Sequence, residues 1–158
     1  MLRVAVGDLP GPWTERIWLA ASVEDRNALG RLDALRASAA RVRFLSVEPL
    51  LEDLGVLDLR GILWVIVGGE SGPNFRPMKH EWARSVRGQC MAAGIPFFFK
   101  QSAAPRTEVG TAFVEADGTK TVWRQYPGEV APPSQSAGKA TRGSPSAPRQ
   151  LPLGLGRR

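Results

Sequence analysis

LWVIVGGES (residues 63–71) is the stretch on which the fold turns. It is apolar and rich in β-branched residues, a glycine pair ends it, and the carboxylate of Glu70 follows at once. That is the clearest strand pattern in the chain. Working outward, the same ending recurs. VRFLSVE (42–48) closes on Glu48 and is broken by Pro49, which cannot donate to a sheet ladder. IWLAASV (17–23) is followed by Glu24, so that Ser-Val-Glu is written twice, at 22–24 and at 46–48. IPFFFK (95–100) supplies a fourth run, ending on Lys100 and Gln101.

Between these runs the period changes. Ala28, Leu29, Leu32 and Leu35 recur at helical spacing, with Asp25 or Asn27 available as a cap. A second helix is predicted over about 80–93, with Trp82, Val86, Cys90 and Ala93 on its apolar face and Glu81, Arg84 and Arg87 away from it. Gly94 provides its left-handed end and Pro96 stops continuation. LLEDLGVLDLRG (50–61) reads as a turn or a short helix, and Asp117-Gly118 marks a β-hairpin within TAFVEADGTKTVWRQY. IWLAASV reads as a strand buried on both faces, and Trp18, Trp64 and Phe97–Phe99 as core.

Strands alternating with helical segments predict an α/β fold, a parallel sheet of about four strands built from right-handed βαβ units. In such a sheet all strands release their carboxyl ends on one side, where ligands bind. Glu24, Glu48, Glu70 with Ser71, and Lys100 with Gln101 are therefore expected on one rim, with Arg76 in the loop beyond either a bidentate partner for a carboxylate or phosphate or only solvated. These are the candidate ligand-binding residues. Clustered carboxylates raise one another's pKa and suit acid–base work, or each could simply cap the next helix or pair with a local arginine. GGESGP (68–73) is either an anion cradle or a tight strand-ending turn. No metal site is assigned. His80, the one histidine, is expected in a polar role at a helix start, and Cys90 as a small buried hydrophobe.

The 158 residues carry a net charge of +6, but residues 131–158 hold five Lys/Arg and no acid, leaving 16 basic against 15 acidic residues over 1–130. The basicity thus belongs to a Pro/Ser/Gly-rich tail expected to be disordered, with at most weak nucleic-acid contact. The expected organisation is a loose lead-in at 1–16, an α/β domain at 17–130 and the tail at 131–158. No run suits a membrane span and the first residues lack a signal-peptide pattern, so a cytosolic protein is expected. One cysteine excludes an intrachain disulfide and an all-cysteine metal site within this chain.

RFLSVEPLLEDLG, WVIVGGESGPNFRPM and HEWARSVRGQCMAAGIPFFFKQ together resemble a bacteriophage- and prophage-associated family of unknown function, from Ile17 to Gln101 and more weakly to Pro127. Full-length members are similar to radical-SAM (S-adenosylmethionine) proteins, with a barrel-like α/β fold and an N-terminal cysteine cluster suited to an iron–sulfur centre. The resemblance implies an iron–sulfur cluster and S-adenosylmethionine in full-length members, and neither cofactor in this chain, which lacks the cysteines. Gly68-Gly69-Glu70 resembles the Gly-Gly-Glu that contacts the S-adenosylmethionine amino group, but it lies on a late strand and that role is not carried over. The resemblance then implies that the chain is the C-terminal half of a family member, a partial (β/α) barrel, either an enzyme remnant or a non-enzymatic binding module. Half a barrel has two bare sheet edges, so the implied partner is a separately encoded N-terminal half or a second copy.

Overall fold

The computed structural model describes residues 13–128, so most of the lead-in and all of the basic tail lie outside the described residues. Four parallel strands form one sheet in chain order: β1 (Trp18–Ser22), β2 (Val42–Val47), β3 (Trp64–Gly68) and β4 (Phe97–Gln101). Helix α1 (Gly30–Ala37) links β1 to β2, and α2 (His80–Ala92) links β3 to β4. A separate antiparallel hairpin follows, β5 (Phe113–Val114) and β6 (Lys120–Thr121), turning at Asp117-Gly118 as the sequence predicts. The α/β class with its parallel sheet is therefore as expected.

Local chemistry accounts for the element ends. Asp25 caps a single 3-10 turn (Arg26–Ala28) that precedes α1, its carboxylate accepting the Ala28 N–H at 3.0 Å. Gly94, at φ 66°, ends α2. The segment 50–61, left open between turn and helix, forms neither a helix nor a strand, and the Glu48–Pro49 peptide before it is cis.

Both helices lie on one face of the sheet. Leu32 and Leu35 of α1 and Ala83, Val86 and Cys90 of α2 join one core with alternate strand residues, namely Leu45, Val47, Val65, Val67, Phe97 and Phe99. Trp82 packs against that core but Ala93, expected on the same face, is exposed.

The other face corrects two expectations. Trp18, Phe44, Trp64, Phe98 and Tyr126 form a continuous row of rings there, neighbouring centroids 5.5–6.4 Å apart. Trp18 is 46% exposed and Tyr126 49%, and Trp64 and Phe98 are half-buried, so Trp18, Trp64 and Phe98 are not core, while Phe97 and Phe99 are. Strand β1 is not buried on both faces either: Trp18, Ala20 and Ser22 are exposed while Leu19 and Ala21 are half-buried. The reason is that the helices cover only the face to which the odd-numbered residues of β1 belong.

The two sheet edges also differ from the expected pair of bare edges. The outer side of β4 is covered by the chain itself, antiparallel, with Phe99 N–H donating to Trp123 O at 2.7 Å and Gln125 N–H to Phe97 O at 3.1 Å. Among the described residues, nothing pairs with the outer side of β1.

Candidate functional site

The parallel sheet brings Glu24, Glu48, Glu70 and Lys100 to one rim, since each closely follows or ends a strand at its carboxyl end. Backbone bonds stitch that rim together: Leu51 N–H donates to Glu24 O, Leu50 N–H to Gly68 O and Gly69 N–H to Gln101 O, at 2.8–3.0 Å.

The carboxylates do not pool their charge. Glu24 is bound by Arg31 at 2.8 Å, Glu48 by Lys100 at 2.9 Å and Glu70 by Arg76 at 2.7 Å. Each acid thus has its own cation, the structural alternative to a catalytic cluster. Arg76 grips Glu70 with two guanidinium nitrogens and its own backbone N–H, as its position in the loop suggested. Those bonds hold the Glu70 carboxyl down at about 2, the opposite of the upward shift that crowding of like charges predicts. Glu70 is therefore ionised at neutral pH and carries no proton to give. The fields of Asp25 and Glu24 reach Arg76 as well, so the β1 and β3 ends of the rim share one electrostatic neighbourhood.

The Glu48–Lys100 pair is built differently, because it spans a strand. Alternation places Lys100 on the ring-bearing face, and the Glu48 carboxylate crosses over Gly68 of β3 to reach it. A Cβ on Gly68 would stand 3.0 Å from Glu48 Oε2. Gly69 is pinned by a second approach, since a Cβ there would lie 2.6 Å from Ala103 Cα and closer still to its nitrogen. The glycine pair therefore gives passage to two other segments of this chain. Close packing of this kind accounts for the glycines of GGESGP as a tight strand-ending turn, without an anion.

Two expected rim residues take other roles. Gln101 is 2% exposed, and its side-chain oxygen accepts the Glu108 N–H, so it anchors the loop after β4 from the helix side. Adjacent residues of one strand face opposite sides, so with Lys100 on the open face Gln101 cannot join it. Ser71 is exposed, and its backbone forms a bridge with Ala104.

A second polar cluster went unread in the sequence. His80, Arg84 and Arg87 recur at i, i+4 and i+7 along α2, and all three grasp the hairpin. Val114 N–H donates to His80 Nδ1 at 3.2 Å, Arg84 donates to Val114 O at 2.8 Å, and Arg87 binds both oxygens of Glu115. The Arg87 guanidinium also lies between the rings of Phe113 and Trp123, 4.5 and 4.6 Å from their centroids. His80 Nε2 is 2.9 Å from Ser102 Oγ. Since Nδ1 accepts from Val114, neutral His80 carries its proton on Nε2 and donates to Ser102, so it is not poised to take the serine's proton. The helical spacing of these three residues was the available signal.

Cys90 is fully buried in α2, and burial pushes its thiol up to about 12. Among the described residues, no group of three or more His, Cys, Asp or Glu is placed to hold a metal ion, and no helix is long and apolar enough to cross a membrane. A family model described as a protein of unknown function (DUF5131) matches residues 2–140. No curated protein and no solved structure matches the chain.

Proposed function

The chain belongs to the DUF5131 family of proteins of unknown function, and from that premise we propose that it acts as the C-terminal half of a prophage-type, radical-SAM-like barrel protein. On this reading it works by completing its sheet against a complementary half, in the cytosol, and not as a free-standing enzyme. One observation carries the proposal. A wholly parallel sheet ordinarily has both faces covered, and here the face opposite the helices is lined by Trp18, Phe44, Trp64 and Phe98 and stays partly open. Consecutive strand order with both helices on one face is the arrangement of a barrel segment, whose other face would point inward.

The residues present do not fit an iron–sulfur cluster. A cluster needs several thiolates, and the single cysteine is buried, protonated and on the helix layer. Glu70 does not fit the capture of an amino group either, because Arg76 already occupies both of its oxygens. Anaerobic reconstitution of the isolated chain with iron and sulfide should leave it colourless. Visible absorption would reveal cluster ligands that this reading denies.

The decisive experiment is co-expression with the polypeptide encoded directly upstream. A one-to-one complex with blue-shifted tryptophan emission is expected, lost in Trp18→Gln while circular dichroism of the lone chain is unchanged. A chain that remains apart from that polypeptide would sink the proposal. A second reading, a non-enzymatic binding module of phage or prophage origin, draws on the Glu48–Lys100 pair lying half-open on the ring-bearing face. Its test is Glu48→Gln with Lys100→Gln: a detectable ligand or partner should bind more weakly, and unchanged affinity would remove the reading.

A further inference from the structure

The hairpin does more than follow the sheet in the chain. Residues 123–125 run directly from β6 onto the outer side of β4, so whatever holds the hairpin also holds the cover of that edge. Helix α2 grips Val114 of β5 at both of its backbone groups, by His80 Nδ1 at the N–H and by Arg84 at the carbonyl. Only the first of these grips needs an unprotonated nitrogen.

We propose that His80 is an acid-sensitive clasp, whose protonation breaks one of the grips of α2 on β5 and so loosens the strand that covers β4. The chemistry is a single proton transfer from solvent to Nδ1. Once protonated, Nδ1–H faces Val114 N–H, two donors with no acceptor between them. The Nε2–H bond to Ser102 survives in either state, so one contact is lost and one is kept. Nothing nearby welcomes the added charge. The ring packs against Phe99 of β4 and Phe113 of β5, with centroids 5.5 and 6.0 Å away. On its own helix, Arg84 lies close enough to oppose a second positive charge. Farther along α2, Arg87 is engaged with Glu115, which spends the hairpin's nearest carboxylate. The loop after β4 presents the uncharged Ser102 hydroxyl, and Glu108 in that loop is tied by its N–H to Gln101. Burial and Arg84 together hold the imidazole below its ordinary value.

This inference is independent of the proposal for the open face, because it concerns the opposite edge and the isolated chain. His80 is the one histidine in the sequence, so few other side chains titrate between about pH 8 and about pH 5. Hydrogen exchange by NMR over that range, corrected for intrinsic rates, reads the clasp at two amides. Protection of Val114 and of Phe99, which donates to Trp123, should fall severalfold on acidification in the native chain. Amides of β2 should hold their protection. In His80→Gln both should become insensitive to pH. Equal protection at both ends of the range, or the same fall in His80→Gln, would overturn the proposal. Nitrogen-15 shifts of His80 in the native chain give a check that no variant can spoil: Nδ1 must report an unprotonated acceptor at neutral pH, and the opposite tautomer would end the case.

Discussion

At the scale of single residues, the glycine pair and Glu70 make the sharpest claims. Gly68 and Gly69 look interchangeable as a strand ending, yet their neighbours differ in kind. A methyl at Gly69 meets backbone that cannot swing aside, so Gly69→Ala should cost about 3 kcal/mol or more in urea unfolding. A methyl at Gly68 meets the end of the Glu48 side chain, which can, so Gly68→Ala should cost about 1 kcal/mol and detach Glu48 from Lys100. Equal costs would contradict the structure. Glu70 makes a claim about pH. Its folded pKa is below the ordinary carboxylate value of 4.5, so its bond to Arg76 stabilises the fold fully above that value. The contribution is lost as pH falls from there toward about 2. A carbon-13 titration should place the Glu70 midpoint near about 2, and Arg76→Gln should return it to the ordinary range. The sequence announced both features only in part. It showed glycines after a strand and an arginine in the next loop, while the identity of what passes over each glycine is a tertiary fact that no local pattern records.

At the scale of elements, α2 illustrates what periodicity reveals and what it hides. Its apolar stripe, Val86 and Cys90 included, is legible because hydrophobic residues at helical spacing have one plausible destination. The polar stripe His80–Arg84–Arg87 has two, solvent or a neighbouring segment, and helical spacing alone does not choose between them. Removing one member of the enclosed pair distinguishes them. Arg87→Ala should destabilise the chain by about 2–3 kcal/mol, because it takes the counter-charge from Glu115, leaving only the Thr121 and Trp123 donors, and opens the space between Phe113 and Trp123. Combining it with Glu115→Gln should cost clearly less than the sum of the two single changes. A strictly additive result would mean that the pair is not coupled. Strand β1 failed as a sequence reading for a related reason. IWLAASV has no polar alternation, so it resembles an interior strand, and only its position at an edge beneath half a covering makes it exposed.

At the scale of the whole molecule, the rim was legible because parallel topology follows from the alternation of strands and helices, and parallel topology alone sends four strand ends one way. The pairing of each acid with a separate cation was legible only as one of two alternatives, since Arg31 lies on α1, Arg76 in a loop and Lys100 on β4, and which cation reaches which acid is a tertiary fact. The sheet's own arrangement predicts a gradient of stability. Amides of β2 and β3, flanked on both sides by strands, should exchange slowest, and those of β1 much faster. Protection of β1 equal to that of β3 would show that its outer side is covered. The covered edge at β4 has a last consequence. A row of copies joined side by side needs two receptive flanks on every member, as a chain of links needs two hooks, and here the strip from Trp123 to Gln125 blunts one of them. Lateral addition would therefore end with a pair, and the fold is guarded against fibre growth by a handful of residues that contribute nothing to its rim.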